Sequence, residues 1–285
     1  EEGKMAQFLG DLCVLARVSR VIMQHVVFVT DFGPGPYTGQ MRLRVKELLP
    51  RIDCIDLISD LPPYRPDLAA YLLPALTRDI GSGNLYLCIV DPGVGGERDP
   101  LAVWADGNWF VAPDNGILSQ VVRQAVSVKI LCPQWRPRWS SDSFHGRDLF
   151  APIAARIIDD QSIDPRQRGA EDMVGSDWPD DLARVVYTDR YGNLLTGVRA
   201  DRVSQDKISA GGQRIPFART FCEVAQGAGF WYENAFGLVE LAVNQGRAEQ
   251  VLALAPGDAF DIKFSCDNKV SASTSVRMQH ARAIV

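Results

Sequence analysis

Between residues 26 and about 160, short β-branched apolar runs alternate with segments of helical periodicity. This alternation constrains the fold more than any other feature of the chain. Strand-like runs at 26–30, 54–58, 85–90 and 128–131 are interleaved with helical patterns at 41–49 and 68–80, and a further helical pattern covers 148–159. Alternating β and α segments build a sheet covered by helices on both faces. Residues 25–170 are therefore expected to form a mostly parallel, Rossmann-like α/β sandwich. Two runs at 101–105 and 109–112 flank Asp106-Gly107-Asn108, a hairpin signal. Asp67 is placed to cap the helix at 68–80, and Gly81 to stop it.

Beyond residue 160 the texture changes. Residues 160–182 are rich in Asp, Pro, Gly and Arg, and 171–182 reads as an interdomain linker. Short β-like runs follow at 184–188, 194–198, 214–222, 238–243 and 259–264, separated by turns such as Tyr191-Gly192-Asn193 and Pro256-Gly257-Asp258. That spacing predicts a smaller C-terminal antiparallel β-barrel domain over 183–285, with a polar, Ser-rich tail that is loose at its end. Residues 1–24 mix apolar and charged side chains without a cleavage site or a long apolar stretch. They read as an N-terminal leader or extension, with a surface-packed helix as the alternative.

Composition excludes several function classes. Net charge is −5 and the basic residues are dispersed, which argues against a nucleic-acid partner. No apolar run reaches membrane-spanning length. The six cysteines form no CxxC pair and two sit inside apolar runs, as expected for reduced thiols in a cytoplasmic protein. With three histidines in the chain, a multi-histidine metal site is not expected. A phosphate-binding P-loop, a GxGxxG turn after a strand and a GxSxG nucleophile elbow are all missing from the sequence.

The chemistry-bearing residues fall at strand ends and loops. The run at 85–90 ends in Asp91-Pro92-Gly93-Val94-Gly95-Gly96-Glu97-Arg98. Ligands of open α/β sheets bind at the carboxyl ends of the strands, and a carboxylate there is costly to bury unless paired or used. His145 lies in Phe144-His145-Gly146-Arg147-Asp148, a glycine loop before a helix. Taken singly, each has an ordinary reading: a turn aspartate, a surface arginine, a structural histidine. Together, Asp91, Arg98 and His145 could bind and polarise a water molecule. Asp31, at the end of the first strand, suits ribose hydroxyls better than a pyrophosphate. In the second domain, Asp189-Arg190-Tyr191-Gly192-Asn193 is either an ordinary turn or a polar clamp for an amino-acid-like group, with Asp189 meeting an ammonium. Phe217, Phe221 and Phe230-Trp231-Tyr232 offer aromatic surface, either as core or as a platform for a base.

Six blocks then occur in order: VTDFG at 29–33, VDPGVGGER at 90–98, APDNGILS at 112–119, SFHGRDLFAPIAA at 143–155, DRYGN at 189–193 and ENAFGLVELAVNQG at 233–246. In these blocks the chain resembles the S-adenosyl-L-methionine (SAM) hydrolase (adenosine-forming) family, the SAM hydroxide adenosyltransferases. It is similar at greater distance to the SAM-dependent fluorinase and chlorinase. The resemblance implies an enzyme that binds SAM between the α/β domain of one subunit and the small β domain of the next, in a homotrimer, without metal or redox cofactor. It implies that Asp91, Arg98 and His145 activate water, which displaces methionine at the ribose C5′. It places Asp31 on the ribose, Tyr64 over the sugar, and Phe221 near the adenine. Asp189 and Asn193 would hold the methionine amino group and the adenine side, and the backbone from Val243 to Gln245 would border adenine. Ala235 stands where relatives carry a serine on the methionine carboxylate, so one hydroxyl contact is lost. A hydrogen bond to a charged group is worth about 1.5–3 kcal/mol. The loop from Gly33 to Tyr37 is also one residue shorter than usual. Two alternatives remain at this point: a SAM-dependent halogenase forming 5′-halo-5′-deoxyadenosine, and a non-catalytic SAM or adenosine binder. The halogenases lack the Asp-Arg-His set, and fluorinases carry a halide-contacting serine near the position of Gly146.

Overall fold

A computed structural model describes residues 23–264. The leader expected over 1–24, apart from its last two residues, and the tail expected from 265 lie outside the described residues. The first sheet contains β1 (His25–Thr30), β2 (Asp53–Ile58), β3 (Asn84–Ile89), β4 (Pro100–Ala105), β5 (Asn108–Pro113), β6 (Val128–Pro133) and β7 (Pro165–Gln167). Its order is β2-β1-β3-β5-β4-β6-β7. The four helices among these strands are α1 (Pro36–Leu48), α2 (Pro66–Thr77), α3 (Ser119–Gln124) and α4 (Ala151–Ile158).

The two faces of the sheet can be read from residue parity, because successive strand side chains point to opposite sides. From β3, Leu85, Leu87 and Ile89 join Val26, Phe28, Met41, Val45 and Ile153 in a core beneath α1 and α4. Tyr86, Cys88 and the adjoining Val90 join Val27, Val29 and Leu68 to Leu73 of α2 in the opposite core. Burial on both faces explains why β3 is an unbroken apolar run rather than an alternating one.

The α/β class is as expected, but the sheet is mixed. β1 pairs in parallel with β2 and β3, and β3 with β5. β4 pairs antiparallel with β5 and β6, and β6 with β7. The reversal comes from the β4–β5 hairpin, whose turn residues Asp106 and Gly107 both have positive φ (46° and 88°). This is the twist-compatible geometry that the hairpin signal requires. Asp67 does not cap α2. The helix starts two residues earlier than expected, on Pro66, and the Asp67 carboxylate pairs with Arg65. Proline suits the first helical position because its missing N–H would be unpaired there in any case.

The second region contains β8 (Leu182–Thr188), β9 (Leu194–Arg199), β10 (Val203–Ala210), β11 (Gln213–Ile215), β12 (Gly229–Glu233), β13 (Leu238–Val243), α5 (Ala248–Leu252) and β14 (Asp261–Phe264). Two antiparallel sheets form, ordered β12-β13-β9-β8 and β11-β10-β14. Single bridges join their edges, Arg184 to Ala259 on one side and Phe217 to Trp231 on the other. The seven strands thereby close into a small barrel around Val185, Leu194, Val198, Ile208, Trp231, Val239 and Leu241. The polar run VSQDKISA of β10 gave no strand signal, and β12 was hidden inside an aromatic cluster.

The two regions share a core. Val186, Leu195 and Leu238 of the barrel pack with α2 in the first region's interior. The Tyr71 hydroxyl donates to the Pro179 carbonyl at 2.8 Å, and the Tyr187 hydroxyl donates to Asp60 at 3.0 Å. Among the described residues, no helix is long and apolar enough to cross a membrane.

Candidate active site

The turn after β3 brings Asp91 and Arg98 together. Val94 N–H donates to the Asp91 carbonyl and Gly96 N–H to the Gly93 carbonyl, so the chain reverses within six residues. Gly95 takes a left-handed φ of 80°, and a Cβ there would lie 2.7 Å from the Asp142 carbonyl oxygen. This close approach admits only glycine. The reversal returns Arg98 to Asp91. Arg98 Nε donates to Asp91 Oδ1 at 2.7 Å, and Nη2 donates to Oδ2. The Asp91 and Arg98 side chains are 6% and 11% exposed, and the guanidinium also lies 5.5 Å from the centre of the Phe150 ring. A planar guanidinium with two parallel bonds to a carboxylate is the geometry that best compensates burial of both charges.

His145 completes the group from a different element. It stands at the start of a π-helical turn, Gly146–Phe150, that runs into α4. Its Nδ1 lies 3.0 Å from Arg98 Nη2. Arginine has no acceptor, so Nδ1 accepts and the imidazole proton sits on Nε2. Burial, and then the Arg98 charge, hold the His145 pKa below the usual 6.5. Both act in favour of the neutral ring that this hydrogen bond demands. Gly146 allows the approach: a Cβ there would lie 2.8 Å from Met41 Sδ.

Asp31 ends β1 on the same rim. Its Oδ2 accepts from the Tyr64 backbone N–H at 2.9 Å. Tyr64 adopts a left-handed φ of 63°, unusual for a non-glycine residue, and its side chain is exposed. Burial pushes the Asp31 carboxyl pKa up, opposed by the Tyr64 hydrogen bond, and the nearby Asp91 charge adds to the rise. Phe32, Tyr37 and Phe144 pack together beside these groups, with ring centres 5.3–6.1 Å apart.

The barrel carries a second group. Asp189 Oδ1 accepts from the backbone N–H groups of Tyr191 and Asn193, and Oδ2 accepts from Asn193 Nδ2 at 3.0 Å. This turn borders a cavity of about 650 Å³ lined by Asp189, Asn193, Phe221, Tyr232, Val243 and Gln245, among others. The Phe221 ring meets Phe230 edge-on at 4.9 Å and Tyr232 at 5.5 Å. Gln245 holds a positive φ of 53°. Arg190, Tyr191, Gly246 and Arg247 also line the cavity; the first three lie in the DRYGN and ENAFGLVELAVNQG blocks, and Arg247 did not stand out in the sequence. The usable signal for Arg247 was Gly192 (φ 83°), where a Cβ would lie 2.8 Å from Arg247 Cβ.

The expected residues thus fall into two groups and one outlier. Asp31, Tyr64, Asp91, Arg98 and His145 lie on the α/β rim. Asp189, Asn193, Phe221, Val243 and Gln245 gather at one end of the barrel. Ala235 is exposed in the turn between β12 and β13. β13 pairs with β9 so that Leu241 faces Leu194 and Leu238 faces Arg199. The Ala235 turn is therefore at the opposite end of β13 from the Asp189 turn, roughly 20 Å away at strand rise. Among the described residues, no hydrogen bond, ion pair or ring contact joins the rim group to the cavity group. None of the described residues form a cluster of three or more His, Cys, Asp or Glu able to hold a metal ion.

Comparison with known proteins places this arrangement. The chain is 35% identical over 261 residues to an (R)-S-adenosyl-L-methionine hydrolase of Thermus thermophilus, spanning 82% of this chain and 98% of that one. A Salinispora arenicola protein with the same name is 29% identical over 250 residues, spanning 82% and 95%. A crystal structure of an uncharacterized conserved protein from Thermotoga maritima superposes with a TM-score of 0.74 at 26% identity, covering 83% of this chain and 99% of that one. The crystal structure of a conserved hypothetical protein from Thermus thermophilus gives 0.68 at 28%, covering 85% and 100%. The family model for the SAM hydroxide adenosyltransferase N-terminal domain matches residues 26–166, and that for the C-terminal domain matches residues 183–261. With both domain models matched in order across the sheet and the barrel, the chain belongs to the SAM hydroxide adenosyltransferase family.

Proposed function

We propose that this enzyme hydrolyses SAM to adenosine and L-methionine, by attack of water on the ribose C5′. The observation that carries the reading is the buried Asp91–Arg98 pair with the half-buried His145 beside it, a pre-formed polar group on the sheet rim of a chain whose relatives are named for SAM hydrolysis. The sulfonium is already a good leaving group, so the site has no need of an acid at sulfur. It must hold one water in line and exclude the rest. Asp91 keeps lone pairs beyond those used by Arg98 and accepts a hydrogen bond from that water. As the C–O bond forms and the C–S bond breaks, the water's proton passes to the carboxylate and on to solvent. Neutral His145 offers Nε2–H as a donor that fixes the water's orientation. Arg98 holds both partners in place through its bonds to Asp91 and His145.

In this reading Asp31 accepts from a ribose hydroxyl through the oxygen not used by Tyr64, and Tyr64 covers the sugar. The barrel cavity receives the adenine against Phe221 and the Val243 to Gln245 backbone, while Asp189 and Asn193 hold the methionine amino group and the adenine side. Because no hydrogen bond, ion pair or ring contact joins the rim to the cavity among the described residues, a rim from one subunit would complete the cavity of a neighbour, as in a homotrimer of a soluble, cytoplasmic enzyme. Gly146, near whose position fluorinases carry a halide-contacting serine, counts against fluoride as the nucleophile and less clearly against chloride. Chromatography of products after incubation with SAM tests the reading. Adenosine and methionine in equal amounts are expected. A 5′-halo-5′-deoxyadenosine formed in chloride or fluoride would replace it with the halogenase reading, and tight SAM binding without product would replace it with the binder.

A further inference from the structure

Outside the rim cluster, three carboxylate residues are buried among the described residues, and one of them differs from the others. Asp114 pairs with Arg168 at 2.8 Å, and Asp148 pairs with Arg147 at 2.7 Å. Glu240, in the middle of β13 and 5% exposed, is bonded to neutral groups. Tyr232 Oη donates to its Oε1 at 2.6 Å, and Asn234 Nδ2 donates to its Oε2 at 2.8 Å. Burying a carboxylate against neutral donors is costly, and the proposed chemistry makes no use of it.

Its two partners sit at different levels of the hairpin, Tyr232 directly across from it and Asn234 further on toward the turn. Tyr232 is the direct cross-strand neighbour of Glu240, and its ring both lines the barrel cavity and packs on Phe221. Asn234 shapes the turn at the other end: its Oδ1 accepts from the backbone N–H groups of Phe236 and Leu238, at 3.0 Å each. One carboxylate therefore ties the aromatic wall of the cavity to the turn that bears Ala235. Burial pushes the Glu240 pKa up, opposed by the Tyr232 and Asn234 bonds, with the Asp189 charge adding to the rise.

We propose that Glu240 is a positioning residue for the nucleoside. Through Tyr232 Oη and Asn234 Nδ2 it holds the cavity wall and the β12–β13 turn as one pre-formed bed. The proposal rests on the reading of the cavity as the adenine site. Two hydrogen bonds to one carboxylate act on ground-state binding, so their loss raises KM and leaves kcat nearly unchanged. Glutamine retains the shape: its oxygen accepts from Asn234, and its amide donates to a rotated Tyr232 hydroxyl.

The test is SAM turnover and adenosine calorimetry on wild type, Glu240→Ala, Glu240→Gln and Tyr232→Phe, each checked for folding by its melting curve. Glu240→Ala is expected to raise KM and the adenosine Kd about tenfold, with kcat within a factor of about two. Glu240→Gln is expected to recover most of that loss. Tyr232→Phe is expected to give part of it, with no further loss when combined with Glu240→Ala. Unchanged KM and Kd in a folded Glu240→Ala protein would overturn the proposal, as would a fall in kcat alone. Should the wild type bind adenosine without hydrolysing SAM, the hydrolase reading fails separately, and the Kd shift still decides the role of Glu240.

Discussion

The sheet rim and the barrel cavity solve different physical problems. On the rim, full charges are buried and neutralise one another: Asp91 and Arg98 form a two-bonded ion pair, and His145 is held neutral beside them. In the cavity, the walls are aromatic rings and backbone, and Asp189 spends its oxygens on its own turn and Asn193. The first arrangement suits a developing charge, which fixed dipoles stabilise without reorganising. The second suits recognition of a flat, neutral base, whose affinity comes from stacking and shape. The same kind of residue, an aspartate at a strand end, is tied to a cation in one region and to backbone amides in the other.

That contrast can be broken by mutation. Asp91→Asn removes the charge that balances Arg98 and the carboxylate that takes the water's proton. A fall in kcat of about 10²–10⁴-fold is expected, the range for loss of general acid–base assistance, with SAM affinity by calorimetry nearly unchanged. Equal loss of affinity would mean that the rim binds rather than reacts. Asp189→Ala should show the opposite split: KM up by about tenfold or more from the lost charged hydrogen bonds, and kcat changed little in steady-state assays.

Acid should affect the rim first. Protonated His145 can no longer accept from Arg98, so the rate is expected to fall with a midpoint below pH 6.5, following the lowered His145 pKa. The same shift adds stability that is fully present above 6.5 and lost as pH falls through the folded value. Proton NMR titration of the imidazole checks the direction, and a midpoint above 6.5 would exclude the neutral assignment. The smallest effect belongs to Gly146→Ser. The new side chain displaces Met41, costing roughly 1–3 kcal/mol by overpacking. Differential scanning calorimetry should show a lowered melting temperature, partly restored when Met41 is also shortened to alanine.

How much of this was legible in the sequence varied with the range of the interaction. The unbroken apolar run at 85–90 and the Asp106-Gly107 turn are local signals, and both gave their elements correctly. The antiparallel half of the sheet depends on β6 and β7 finding partners far along the chain, which no local pattern encodes. β10 reads VSQDKISA, a polar run with weak hydrophobic alternation, so its strand was not legible. The spacing of Asp91 and Arg98 made a pairing reasonable, but only the Gly95 turn explains how the arginine returns. Glu240 sat unnoticed in an apolar run. Its meaning lies in Tyr232, eight residues away along the chain and directly opposite it across the strand pair.

The shared core between α2 and the barrel has a consequence for how the chain gains and loses its structure. Val186, Leu195 and Leu238 sit among the side chains of α2, so neither region can melt without stripping a greasy face from the other. The two matched domains are therefore expected to behave as a single cooperative unit: one heat-absorption peak for the intact chain, and sticky, aggregation-prone fragments if it is severed near residue 181. Division of the sequence into two domain models marks ancestry of segments. It does not mark independent stability.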